Sequence, residues 1–250
     1  MKIYAISDLH LSFACRPAPG KLQVCPQYKP MDEVDQSWVN HAGRIFENWT
    51  RIIKSDDVVL VPGDISWAMR LDEARYDLQY LGLLPGRIVA VQGNHDYWWQ
   101  SISRVRAAAP ANVRFIQNDH LRLGNLVICG TRGWLCPNGA YFKPEDEKIY
   151  QRELIRLTNS LQSVRSVAAD IMVIMHYMPT NEKHDYSDFI RIFQEYGVKH
   201  VVYGHLHARA CRYRLPDRAW GINFYLASAD YLSFTPRLIT ACGEKRCFDD

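Results

Sequence analysis

A layered α/β domain around a mostly parallel sheet is the fold class this sequence predicts, and three observations predict it. Five short apolar runs rich in Val and Ile recur along the chain, segments with helical spacing separate them, and residues of metal-ligand type follow directly on each run. At 250 residues and 48% hydrophobic content the chain can bury a large core, so one domain over 1–250 is expected.

The runs are Lys2 to Ile6, Val58 to Val61, Ile88 to Val91, Ile171 to Met175 and His200 to Tyr203. Near-continuous apolar character over so few residues reads as strands covered on both faces, the condition of parallel sheets. Between them, Val39, Ile45, Phe46, Trp49, Ile52 and Ile53 carry helical spacing, as do Leu71, Ala74, Leu78 and Leu81, and Phe189, Phe193 and Tyr196. Strand, helix, strand in alternation implies right-handed crossovers. Every carboxyl end then opens on one edge, where ligands are expected.

A second strand-rich set comprises Val113 to Ile116, Leu121 to Leu123, Leu126 to Cys129, Ala210 to Leu215, Phe224 to Ser228 and Leu238 to Ala241. A long helical pattern (Ile149, Leu154, Leu157, Leu161, Val164) interrupts it, so a second sheet would draw on both halves of the chain.

Beyond the first five runs lie Asp8-Leu9-His10, Gly63-Asp64, Gly93-Asn94-His95-Asp96, His176 and Gly204-His205-Leu206-His207. If the backbone stays extended, Asp8 with His10 and His205 with His207 each aim two side chains at one point. Gly63, Gly93 and Gly204 sit where the chain must turn sharply, and positive φ is cheap only for glycine. Three carboxylate or amide oxygens (Asp8, Asp64, Asn94) and four imidazoles (His10, His176, His205, His207) are too many donors for one cation and enough for two, with Asp64 the candidate bridge. Mixed nitrogen and oxygen donors accept two divalent transition-metal ions such as manganese, iron, zinc or nickel, of which manganese is favoured.

In this order the residues resemble the signature of calcineurin-like metallophosphoesterases, from Asp8 to His207. The resemblance implies an αββα sandwich of two mixed sheets flanked by helices. It implies that Asp8, His10, Asp64 and His207 hold one metal, that Asp64, Asn94, His176 and His205 hold the other, and that His95 is catalytic. The expected chemistry is hydrolysis of a small phosphoester, diester or monoester, by in-line attack of a hydroxide bridging two ions about 3.5–4 Å apart. His95 would protonate the leaving alkoxide, with Asp8 or Asp96 hydrogen-bonded to its far nitrogen. Asn94 and Arg132 are the candidate substrate contacts, Arg132 because a guanidinium between Gly130-Thr131 and Gly133 suits phosphate oxygens.

The chain departs from particular branches of that family. Gly63-Asp64-Ile65-Ser66-Trp67-Ala68-Met69-Arg70 lacks the arginine of the protein Ser/Thr phosphatase motif, and His95 stands where lipid-A-type pyrophosphatases carry arginine. The alternative from another class is a non-catalytic metal-binding scaffold for protein interaction. It fits less well, since all eight functional positions are filled.

Composition narrows the partners. A net charge of +3 with scattered Lys and Arg shows no nucleic-acid footprint. No apolar run approaches spanning length and the N-terminus enters a strand without a leader pattern, so a cytoplasmic protein is expected; nothing in the sequence specifies an oligomeric state. Seven cysteines without a Cys-x-x-Cys pair (Cys15, Cys25, Cys129, Cys136, Cys211, Cys242, Cys247) read as reduced thiols, with Cys242 and Cys247 able to pair under oxidation. Between Leu11 and Ser37 periodicity disappears and prolines accumulate, which makes 11–37 a long loop leaving the metal edge, either a lid or rim or a surface excursion or subunit contact. Trp67, Trp98, Trp99 and Trp134 cluster about the motifs, as a substrate wall or as packing between helices and sheet.

Overall fold

The computed structural model describes residues 1–164 and 170–241. Its first sheet has the order β11-β1-β2-β3-β4, from β1 (Lys2–Ala5), β2 (Val58–Pro62), β3 (Arg87–Val91), β4 (Val113–Phe115) and β11 (Arg237–Ala241). The second has the order β5-β6-β7-β8-β10-β9, from β5 (His120–Leu123), β6 (Leu126–Thr131), β7 (Asp170–Met175), β8 (His200–Tyr203), β9 (Arg218–Ala219) and β10 (Ile222–Leu226). The β1–β4 and β6-β7-β8-β10 blocks are parallel, while β11, β5 and β9 pair antiparallel at the margins. Both sheets are therefore mixed, as the αββα expectation requires.

Period-2 alternation explains the sandwich. Ile3 and Ala5, Val58 and Leu60, Val89 and Val91 face Met172, Ile174 and Val202 in a core between the sheets. The intervening Tyr4, Val59, Val61, Ile88 and Ala90 pack outward under α1 (His41–Ile52), α2 (Arg75–Leu83) and α3 (Ile102–Ala108). On the far side Val173, Met175, Val201 and Tyr203 pack under α4 (Asp146–Gln162) and α5 (Asp188–Glu195). The central strands β1, β2, β3, β7 and β8 are thus covered on both faces, hence their continuous apolar character.

Three expectations need correction, and one helix had no signal in the sequence. The five ligand-bearing runs do not share one sheet: β1, β2 and β3 lie in the first, β7 and β8 in the second. The Val113 and Leu238 runs, assigned to the second set, belong to the first, where they close its two edges. Ala210 to Leu215 is no strand but lies largely in a 3-10 segment, Ala208–Tyr213, that buries none of its residues. With Arg209, Arg212 and Arg214 interleaved, that stretch has no apolar face to lay on a sheet. Finally, α3 carries little periodicity and only Val105 is buried, so its sequence is silent.

The 11–37 loop is built rather than loose. Phe13 bridges Gln27 antiparallel, and this close return brings Cys15 and Cys25 into a disulfide, Cα–Cα 5.9 Å, correcting the reading of these two as reduced thiols. Cys129, Cys136 and Cys211 are free, while Cys242 and Cys247 lie outside the described residues. The loop is tied to the body by the buried Asp77 carboxylate of α2, which accepts from Phe13 N (2.8 Å), Tyr28 Oη (3.4 Å) and Ser66 Oγ.

Burial pushes the Asp77 carboxyl up to about 7 from its ordinary value. The folded chain therefore holds this proton more tightly than the unfolded chain, and the corresponding stability is lost as pH rises from about 4 through 7. Asp77→Asn is expected to flatten part of that fall and to melt above wild type at pH 8 but not at pH 5. Thermal denaturation at both pH values checks this, and parallel profiles for the two proteins would contradict it.

Candidate active site

The two sheets share one carboxyl edge because they are stitched there. Ser7, just past β1, donates to Ala227 O (2.7 Å) and accepts from Ala229 N (3.0 Å) across the sandwich. Ligand residues leaving either sheet therefore meet.

The turns that deliver them are tighter than extended strand ends. Asp8 (φ 58), His10 (φ 46), Asp64 (φ 52) and His205 (φ 70) are left-handed, so their side chains converge through backbone reversal rather than through i, i+2 alternation. Gly63 takes the positive φ expected of it, at 84. Gly93 and Gly204 do not, and are required for another reason: a Cβ on Gly93 would collide with Asp64, and one on Gly204 with Ser7 and Asp8.

Two groups of ligand atoms form, Asp8 with His10 and His207, and Asp8 with Asp64 and His176, each within 4.8 Å. Asn94 Oδ1 stands 2.6 Å from His176 Nε2, and His205 Nδ1 stands 3.2 Å from the same nitrogen. All seven residues expected as ligands are thus connected in one cluster. In this arrangement Asp8 belongs to both groups, whereas Asp64, the expected bridge, approaches His10 at 3.9 Å and His176 at 3.4 Å.

The donor chemistry fits cations. His176 Nδ1 donates to Pro62 O at 3.0 Å, which leaves Nε2 a lone pair facing Asn94 Oδ1 and the Asp64 carboxylate. Burial holds His176 down to about 4 and His205 to about 3, and depresses His10 as well, so these imidazoles are neutral and free to ligate near pH 7. Asp64 shows the opposite effect: burial, then the Asp8 and Asp96 charges, raise its carboxyl well above the usual range. Lone pairs aimed at one another among buried acids are what a metal centre offers.

His207 is held differently. Although burial opposes it, Asp8 (3.2 Å from Nε2) and Asp230 (2.9 Å from Nδ1) raise the imidazole to about 10. Asp230 also accepts from Ala208 N at 2.8 Å. Asp230 thus fixes which ring nitrogen faces the cluster, and the sequence reading missed it, although it stands two residues past the Phe224 to Ser228 run in the strand-end position of the other ligands. Asp230→Asn is expected to weaken metal affinity about 10–100-fold. Competition against a chelator measures this, and an unchanged affinity would remove the orienting role.

His95 sits beside this cluster with its hands free. Its backbone N–H donates to Asp64 Oδ1 at 2.8 Å, its ring packs 4.3 Å from that of Trp67, and its buried Nδ1 has no hydrogen-bond partner among the described residues. The expected bond from Asp8 or Asp96 is not formed. Asp96 instead accepts from Ile65 N (2.9 Å), Ser66 N (3.0 Å), Gly93 N (2.8 Å) and Trp98 Nε1 (2.9 Å). It braces the two ligand loops against each other, and none of these four contacts reaches His95. Arg132 pairs with the buried Glu153 at 3.3 Å and lies over the Trp134 ring, while its buried Nε has no hydrogen-bond partner among the described residues. The tryptophans divide: Trp98 is core, Trp99 packs on Phe115, Trp134 lies against Tyr177, and Trp67 stacks on His10 at 4.7 Å. Trp38, directly after the 11–37 loop, packs edge-on to His10 and His207, so the end of this loop borders the cluster.

The model of the calcineurin-like phosphoesterases matches residues 1–209. The chain belongs to that family. The phosphopantetheinyl hydrolase PptH of Mycobacterium tuberculosis superposes with a TM-score of 0.55 at 18% identity, covering 97% of this chain and 98% of that one. A protein of unknown function from Aquifex aeolicus, AQ665, gives 0.49 at 14% identity over 95% of both chains. Among curated proteins, the uncharacterized protein MJ1445 of Methanocaldococcus jannaschii is 30% identical over 95 residues, 38% of this chain and 47% of that protein. The chain therefore matches only about half the length of that curated relative. Membership gives a hydrolase fold, in which the Asp and His cluster is a candidate metal site, and the structural likeness supports the fold alone. Among the described residues no helix is long and apolar enough to cross a membrane.

Proposed function

We propose that this protein is a dinuclear metal-dependent phosphohydrolase that uses His95 as its general acid. The observation that carries the reading is a set of mutually facing acceptors, buried Asp8, Asp64 and His176 with half-buried Asn94 and His205, at the joined sheet edge, with one imidazole, His95, beside it and uncommitted. Asp8, His10, Asp64 and His207 would hold one ion and Asp64, Asn94, His176 and His205 the other, manganese being favoured.

Divalent ions held there supply positive charge that polarises a phosphoryl group and activates water. The chain's own residues do the rest. Asn94 presents a neutral amide, which does not repel phosphate. Asp96 and Gly93 hold the His95 loop at fixed distance from Asp64 through backbone N–H bonds. His95 gives a proton to the departing alkoxide, its ring steered by Trp67. Lowered by burial and by the nearby Lys29 charge, the imidazole takes up a new proton less readily and releases it more readily.

Chelated protein is expected to be inert toward p-nitrophenyl phosphate and bis-p-nitrophenyl phosphate, and to hydrolyse at least one of them once manganese is restored. A metal-loaded protein inert on a broad phosphoester panel would favour the scaffold reading instead.

A further inference from the structure

Two hollows flank the cluster, and their linings differ. One, about 640 Å³, runs between the 11–37 loop and the segment after Asp64, lined by Phe13, Tyr28, Lys29, Trp67, Arg75 and Tyr76. Trp67 is its wall toward the cluster, since that ring also touches His10 and His95. Its acids Asp72 and Glu73 are engaged by Arg70 at 3.6 and 3.2 Å. Its cations are not engaged by acids: Lys29 Nζ rests 3.4 Å over the Trp67 ring and Arg75 lies over Tyr76, and neither has a carboxylate within ion-pair distance among the described residues. The groove is aromatic, with two cations awaiting an anion.

The other hollow, about 290 Å³, opens on the opposite flank through His205 and Tyr177, whose rings are 4.1 Å apart. Its walls include Leu135, Phe142, Met178 and Leu206, and its acid, Glu182, already accepts from Ala140 N at 2.9 Å. This side is apolar.

A phosphomonoester has one substituent and needs one hollow; a diester has two. Resting on the hydrolase reading above, we propose that the substrate is a phosphodiester whose leaving alcohol is a large group carrying a second anion, seated in the Lys29–Arg75 groove beside His95, and whose retained substituent is apolar and fills the His205 hollow. In the reaction, water oxygen bonds to phosphorus as the bond to the leaving oxygen breaks. The leaving oxygen takes a proton from His95, and water's proton passes to solvent. The products are the apolar phosphomonoester and the anionic alcohol.

The test uses adenosine 5′-phosphate carrying a hexyl phosphodiester on its 3′ oxygen, beside three truncations: the same diester without the 5′-phosphate, the methyl in place of the hexyl diester, and adenosine 3′,5′-bisphosphate. The full diester is expected to exceed each truncation in kcat/KM by about tenfold or more. Lys29→Met, at an exposed position, should collapse the 5′-phosphate preference toward unity, and Ala210→Phe, which fills the apolar hollow, should collapse the hexyl preference, whatever their absolute rates. Equal or better use of the bisphosphate, or preferences that survive both substitutions, would overturn the proposal. Calorimetric binding of the four probes in EDTA reads the grooves without turnover. The same order of affinity with no hydrolysis of any ester would sustain the grooves and sink the hydrolase reading, whereas hydrolysis with equal affinities would do the reverse.

Discussion

His95→Asn is expected to keep the metal content of wild type while turnover falls by roughly two or more orders of magnitude. The separation of binding from chemistry follows from the geometry. The contact of His95 with the cluster is made by its backbone N–H, which an asparagine retains, and the ring nitrogen that would be lost has no structural partner among the described residues. The loop itself is held by Asp96 through Gly93, which the substitution does not touch. The loss should be largest for alkyl esters and smallest for p-nitrophenyl esters, because a good leaving group needs little proton donation. Elemental analysis alongside rates on both ester types checks this. Equal losses on the two would point to misplacement of the site rather than to missing acid catalysis.

Asp64→Asn should act in the opposite sense, on metal before chemistry. Its carboxylate is buried, raised by burial and by the neighbouring Asp8 and Asp96 charges, and it needs a cation to stay ionised at little cost. An amide keeps the acceptor for His95 N but removes the charge, so affinity should fall by roughly 100-fold or more, beyond the effect of residues that only orient a ligand. The sign of the stability change reverses with occupancy. A group whose folded value is raised disfavours the folded state as pH rises through that value, so metal-free Asp64→Asn should melt above metal-free wild type at pH 8, and metal-loaded wild type above both. Normal metal occupancy in the variant would count against Asp64 as a shared ligand.

The ligand residues were legible because each is of metal-ligand type and stands directly behind a run whose β-branched composition marks a strand. What joins them was not. The split of those runs between two sheets depends on register and on the Ser7 stitch across the sandwich, and a doubly buried strand looks the same in either sheet. Asp8 and His10 do meet, but by left-handed turns rather than i, i+2 alternation, and His205 faces His176 while His207 faces Asp8; Asp and His adopt that φ more often than most residues, yet too seldom for residue type to announce it. Asp230 and Lys29 escaped notice because each works through a partner far away in sequence: His207 in one case, Trp67 in the other. Asp96 was drawn toward chemistry by its place beside His95 and Arg132 by its glycine-flanked loop; the Asp96 carboxylate turns to backbone amides and Trp98, and one Arg132 nitrogen pairs with Glu153. The Cys15–Cys25 bridge is likewise a consequence of how the loop returns on itself at Phe13 and Gln27.

The central claim, that this cluster is a two-ion hydrolytic centre, is tested most directly by titrating manganese into chelated protein while following turnover of bis-p-nitrophenyl phosphate and p-nitrophenyl phosphate. Activity should rise from nothing and break at two equivalents per chain. A break at one equivalent, or hydrolysis that survives complete removal of metal, would contradict it.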